Sequence, residues 1–190
     1  VTEPRSVSGA VDRTHATLGA VTFLVNAVGV GQYDEDFRAM PFERWREIVA
    51  VNLIGAVNCV HAVVPDMVQR GAGVIVNICS IWSTHVATGR SAYIASKWGL
   101  LGATKALASE LVGDGIRVCA VSPGPVDTPM TTHIAPEQIR NTWMRPEDVA
   151  AAVKFALSPE ARHLVGGEVQ LFGVARPQAP TVRGPADHAG

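Results

Sequence analysis

Cysteine and surplus charge are both scarce in this sequence. Its 190 residues hold three cysteines, Cys59, Cys79 and Cys119, widely spaced among apolar neighbours and without a CxxC pair. That excludes a disulfide scaffold and a cysteine-based metal centre, and predicts buried, reduced thiols in a cytoplasmic protein. Lysine plus arginine, 16, nearly cancel aspartate plus glutamate, 17, so no global field draws in nucleic acid or an anionic membrane. No charged-then-apolar targeting segment opens the chain. The longest apolar stretch, Ile48 to Val64, is interrupted by Asn52, Asn58 and His61 and falls short of the roughly 20 residues of a membrane span. It reads as a buried helix of a soluble protein, and no membrane, nucleic acid or metal partner is expected.

What is present is a 47% hydrophobic chain of ordinary one-domain length. Short runs rich in β-branched residues occur at Val21–Val25, Val74–Ile78, Arg117–Val121 and Glu168–Leu171. They do not alternate polar with apolar, which predicts strands covered on both faces, as in a parallel sheet. Between them, Phe42 to Val68 carries apolar residues at steps of three and four, the stripe of a long helix that Pro65 should kink or end. Further helices are predicted over about Ala92 to Leu111, stopped by Gly113-Asp114-Gly115, and over Pro146 to Leu157, with acidic residues in its first turn. Strands alternating with helices imply an α/β doubly wound sheet over residues 1–175. Residues 176–190, with three prolines among small and polar residues, are expected to form a flexible C-terminal tail.

Tyr93-Ile94-Ala95-Ser96-Lys97 sets a phenol and an ammonium one helical turn apart, on one face. A cation held near a tyrosine favours the phenolate, so the pair can serve as a general acid/base near neutrality. An exposed lysine beside a packed tyrosine would share that spacing, so the pair alone decides little. Thirteen residues upstream, Ser80 leaves the carboxyl end of the strand Val74-Ile75-Val76-Asn77-Ile78, where open α/β sheets place ligand-binding groups. Asn52 interrupts the apolar stripe of the long helix. A buried amide needs partners, so it is either a structural hydrogen bonder or a relay to an active-site water.

Taken together these segments resemble the short-chain dehydrogenase/reductase family. Leu24-Val25-Asn26-Ala27-Val28-Gly29 is similar to the family's Asn-Asn-Ala-Gly motif on its fourth strand. The likeness continues through Asn52, the segment ending in Ser80, Tyr93 to Lys97, and Ser122-Pro123-Gly124-Pro125-Val126-Asp127-Thr128-Pro129, and covers about residues 1–175. The resemblance implies a Rossmann-like fold and reversible hydride exchange between NAD or NADP and an alcohol or ketone. It implies that Tyr93 exchanges the proton, Ser80 hydrogen-bonds the same oxygen, Lys97 lowers the tyrosine pKa and holds the nicotinamide ribose, and Asn52 holds a water behind Lys97. Asn26, Ala27, Gly29, Pro123, Gly124, Val126 and Thr128 would lie beside the cofactor, the Val126 backbone and the Thr128 hydroxyl gripping its carboxamide. Ile81, Trp82, His85, Met130 and Trp143 would line the substrate pocket. The family's pairing of long helices implies a homodimer or homotetramer through Phe42–Val68 and Ala92–Leu111.

Departures from the pattern are specific. Ala27 stands for the family's second asparagine, Val28 for its alanine, Cys79 for the serine before Ser80, and Phe172-Gly173-Val174 for its Asp-Gly-Gly. No Gly-x-x-x-Gly-x-Gly occurs, although a pyrophosphate needs a glycine turn at a helix N-terminus. With Val1-Thr2 similar to the residues after the third strand, the expectation is an N-terminally truncated pattern, strands four to seven with their helices. The residue that selects NAD or NADP would lie upstream. Two functions follow: a dehydrogenase or reductase acting on a small apolar ketone or secondary alcohol, or a cofactor-less remnant or partner subunit without activity. A carrier-bound 3-oxoacyl ketone is the alternative substrate; it would favour a basic patch, and only Arg140 and Arg145 offer charge near the expected mouth.

Overall fold

The computed structural model describes residues 1–173, and the tail proposed for 176–190 lies outside them. In chain order they form α1 (Pro4–Leu18), β1 (Phe23–Asn26), α2 (Phe42–Val49), a π-helical turn (Ala50–Ile54), α3 (Gly55–Arg70), β2 (Gly73–Ile78), α4 (Ser91–Leu111), β3 (Ile116–Pro123), α5 (Glu137–Arg140), α6 (Pro146–Leu157) and β4 (Glu168–Leu171). The strands lie in the order β1-β2-β3-β4 and every pairing is parallel. This is the parallel sheet expected from the alternating runs, and it fits the Rossmann-like fold that the resemblance implies.

Side chains alternate across the sheet with period two. Ile75, Ile116 and Val118 face Val60, Val63 and Met67 of α3 and Ala108 of α4, with Val11 of α1 packed on the rim. Val76, Cys119 and Val121 point the other way, against Ala156 of α6. Coverage of both faces holds for β2 and β3 only. On β1, Phe23 is 54% and Val25 38% exposed, because α6 packs over the neighbouring strands and leaves this edge open.

Two further departures concern the long helix. Pro65 does not end it: the helix runs on to Arg70, held by burial of Val60, Val63 and Met67 on either side of the proline, and stops at Gly71 in the left-handed region (φ 65°). The helical run Phe42–Arg70 is therefore 29 residues, long and apolar enough by length and composition to cross a membrane, yet one side of it packs on the sheet. The segment 50–54 winds as a π-turn around Asn52, with the Gly55 N–H reaching back to the Ala50 carbonyl. Such turns are rare and concentrate at functional sites. Helix α1 carries no signal singled out in the sequence; its Val7 and Val11 dock it on α3.

A chain of buried polar groups crosses the middle of the fold. Asn26 Nδ2 donates to Asn77 Oδ1 at 2.8 Å and to the Ala56 carbonyl at 3.3 Å, while Asn77 Nδ2 donates to Thr104 Oγ1 at 2.9 Å. It ties β1 to β2, α3 and α4 through groups that are each almost fully buried. Asn77→Ala leaves the Asn26 amide and the Thr104 hydroxyl short of partners, and is expected to cost about 1–3 kcal/mol. A urea midpoint that does not fall would contradict this.

Candidate active site

The carboxyl ends of β1, β2 and β3 open into a cleft of about 740 Å³, the place where parallel α/β sheets present ligand-binding loops. Its walls are mainly apolar, and Ser80, Tyr93 and Lys97 all line it. Ser80 stands two residues past the end of β2, at the head of the short turn Ile81–Ser83, with its hydroxyl accepting from the Trp82 N–H at 3.2 Å. The hydroxyl also lies near enough to the Tyr93 side chain to favour its phenolate by hydrogen bonding. Lys97 is buried and its Nζ donates to the Ile78 carbonyl at 2.7 Å, so the ammonium is held against the end of β2. It lies 5.8 Å from the centre of the Tyr93 ring.

The electrostatics differ from the simple picture of a lysine lowering a tyrosine pKa. Burial pushes the Tyr93 phenol above its usual value; the hydrogen bond from Ser80 and the positive charge of Arg90 pull the other way and do not overcome it. Burial also lowers Lys97, to about 8. Cys79, beside Ser80, is pushed up to about 11 by burial, which makes it an inert packing residue.

Asn52 is not in the cleft wall. Its Oδ1 accepts from the Val30 N–H at 2.8 Å, and its Nδ2 donates to the Val30 carbonyl and to Ser96 Oγ, both at 3.0 Å. The amide thus clamps the loop after β1 to the helix that bears Tyr93 and Lys97. Asn26 is likewise turned inward, to Asn77, and supports the site from beneath. Ala27, Gly29, Pro123, Gly124, Val126 and Thr128 all line the cleft, as do Ile81, Trp82, Met130 and Trp143. His85 does not: its Nδ1 lies 3.0 Å from the Ile81 carbonyl and its ring packs edge-on to Phe172, 6.2 Å away, which turns it towards the end of β4. Arg140 pairs with Asp127, and Arg145 sits exposed before α6, so neither adds free charge to the site.

Sequence reasoning missed three residues. Gln32 is buried, and its Oε1 accepts from the N–H groups of Ala92 and Tyr93 at 2.9 and 3.1 Å, satisfying the first turn of α4. Tyr33 and Arg90 line the cleft together. Gln32 and Tyr33 sit in an irregular loop with no periodicity, and only their distance from Tyr93 in space gives them meaning. Arg90 precedes Tyr93 by three residues, a spacing that flagged it in principle.

The family profile described as enoyl-(acyl carrier protein) reductase matches residues 1–171. The chain is 35% identical over 182 residues to the 3-oxoacyl-(acyl-carrier-protein) reductase FabG of Thermotoga maritima, covering 91% of this chain and 73% of the relative. It is 41% identical over 185 residues to the 2-(R)-hydroxypropyl-CoM dehydrogenase of Xanthobacter autotrophicus, covering 91% and 74%. Among solved structures, a gluconate 5-dehydrogenase from Burkholderia cenocepacia J2315 in complex with NADP and tartrate superimposes with a TM-score of 0.84 at 26% identity, covering 90% of this chain and 71% of that one.

Lys97 is expected to titrate near pH 8 in the folded protein, against 10.5 unfolded. Between those values the unfolded chain holds the extra proton, so stability rises as pH climbs from about 8 towards 10.5, and Lys97→Met flattens that rise. Carbon-13 NMR of the lysine ε-carbons checks it; a Lys97 midpoint above pH 10 would overturn it.

Proposed function

This chain belongs to the short-chain dehydrogenase/reductase family, and we propose that it interconverts a small ketone and its secondary alcohol with a nicotinamide cofactor. The observation that carries the reading is the convergence of Ser80, Tyr93 and Lys97 on one apolar cleft at the carboxyl end of the sheet. A substrate oxygen placed against Ser80 Oγ and Tyr93 Oη receives two hydrogen bonds, which strengthen as charge develops on it. Tyr93 then gives up its proton to that oxygen, or takes it back in oxidation. Its raised pKa keeps the phenol protonated, so the proton is there to give, and the Ser80 bond and Arg90 charge steady the phenolate it leaves.

The residues suit the nicotinamide end of NAD or NADP. Lys97 would hold the ribose, and the Pro123–Val126 backbone with the Thr128 hydroxyl would hold the carboxamide; all line the cleft. Bound there, the cofactor supplies the hydride chemistry. The pyrophosphate end is different, because the sequence carries no Gly-x-x-x-Gly-x-Gly turn. Asn52, fully engaged with Val30 and Ser96, acts by fixing the loop and Ser96 beside Lys97. The walls formed by Ile81, Trp82, Met130 and Trp143 favour a compact apolar body over a sugar. The name of the Thermotoga relative supports a carrier-bound 3-oxoacyl ketone as the second reading.

Self-association is part of the proposal. On the long helices the apolar side chains of Phe42, Ile54 and Trp98 stay roughly half or more exposed, and a second subunit packed there would cover them. Light scattering is expected to return a dimer or tetramer mass; the mass of one chain would contradict it.

Turnover follows from NAD(P)H absorbance with a ketone panel, paired with calorimetric titration of NAD(P) into the chain. Tyr93→Phe is expected to lower kcat about 10²- to 10⁴-fold with an unchanged melting curve. Full activity in Tyr93→Phe would remove Tyr93 from the proton transfer, and an absence of both binding and turnover in the parent chain would sink the enzyme reading in favour of a cofactor-less partner subunit.

A further inference from the structure

Among the described residues the cleft wall carries two cations besides Lys97, the exposed Lys154 and Arg90, and of these Arg90 reaches the Tyr93 phenol with its charge. Its guanidinium lies 5.1 Å from the centre of the Tyr33 ring and 5.4 Å from that of Trp82, so two aromatic faces hold it in place. Its one protein hydrogen bond is a long 3.5 Å contact from Nη1 to the Gln32 carbonyl. Among the described residues no carboxylate pairs with it. Asp34 and Glu35 approach the neighbouring Gly89, the Glu35 N–H donating to its carbonyl at 3.2 Å, but neither forms an ion pair with Arg90. Among the described residues no aspartate or glutamate lines the cleft.

A half-buried guanidinium without a counter-ion is unusual, since desolvated charges are normally paired. Arginine offers five donors in a planar fork matched to a two-oxygen anion, and most of that fork here is free. Its position fixes which end of a ligand it meets. Arg90 stands three residues before Tyr93, near enough for its charge to act on both the Tyr33 and Tyr93 phenols. Tyr33 in turn packs edge-on against His133, 5.3 Å away, so Arg90 sits on the side of the cleft that faces the 130–143 segment.

We propose that Arg90, clasped between Tyr33 and Trp82, anchors an acid group, carboxylate or sulfonate, carried a few bonds from the carbonyl that Ser80 and Tyr93 hold. The substrate class is then a short oxo-acid and its hydroxy-acid partner, with the apolar walls taking the intervening carbons. This rests on the ketone/alcohol reading of the same site and adds a second recognition point to it. Lysine would not serve equally, because a compact ammonium lacks the planar fork and stacks less well between two rings.

The test compares kcat/KM for acetoacetate, for 2-oxopropanesulfonate and for neutral 2-pentanone in the parent chain, Arg90→Met and Arg90→Lys. The parent should prefer one of the two anions to 2-pentanone, and which one identifies the acid group. Arg90→Met should shrink that preference about 10- to 100-fold, chiefly through KM, and Arg90→Lys should restore part of it. A preference that is equal in the parent chain and Arg90→Met overturns the proposal. In parallel, calorimetry with 3-hydroxybutyrate and 2-hydroxypropanesulfonate measures binding without turnover. If no ketone is reduced but a hydroxy-acid still binds through Arg90, the reductase reading falls and the anion site stands. If ketones are reduced with no advantage for the anions, the anion site falls and the reductase stands.

Discussion

Two buried side-chain amides hold the loop after β1 in place, and the candidate site depends on that loop. Asn52, from the π-turn of the long helix, grips the Val30 backbone by both its N–H and its carbonyl and reaches Ser96 as well. Gln32, two residues further on, accepts from the first N–H groups of α4, at Ala92 and at Tyr93 itself. The loop is therefore a joint: the end of β1, the long helix and the start of α4 are located relative to one another through it. Backbone N–H groups at a helix start and an irregular loop both need partners once buried, and here each satisfies the other. Loosening either amide would free the Tyr93 end of α4 relative to Ser80.

Around that joint the energetics follow from burial. Placing Tyr93 and Lys97 in an apolar cleft disfavours the charged form of each, so the phenol is raised and the ammonium lowered to about 8. The order of the free groups is thereby reversed, with the Lys97 ammonium losing its proton before the Tyr93 phenol. The Ser80 hydrogen bond and the Arg90 charge act on the phenol from the cleft side, while the Ile78 carbonyl takes the Lys97 ammonium from behind. Dry walls make these few polar groups count for more than they would in water.

The framework was legible in the sequence because its signals are local. Period-three-and-four apolar steps and β-branched runs reflect which face each element buries, and the four strands and the helices after Phe42, Ser91 and Pro146 lie close to where those patterns put them. The helix does not end at Pro65, since side-chain burial around it outweighs one missing hydrogen bond, and it stops instead at Gly71. Coverage of both sheet faces failed at β1, because an apolar run reports what a strand can bury and not whether a neighbour arrives. His85 was placed in the pocket by its nearness in sequence to Ser80, whereas the short turn at Ile81–Ser83 rotates it to Phe172.

From the sequence alone came the residue types that can perform the chemistry and the elements that bear them: Ser80 at a strand end, Tyr93 and Lys97 on one helix face, Asn52 breaking an apolar stripe. Tertiary structure alone decided how they meet. Asn52 became a clamp, Gln32 a helix cap, and Arg90 a guanidinium held between Tyr33 and Trp82, a trio spread over 58 positions of chain. The physical reason is range: periodicity and spacing encode interactions within a few residues, whereas buried amides and unpaired charges acquire their roles from groups tens of residues away.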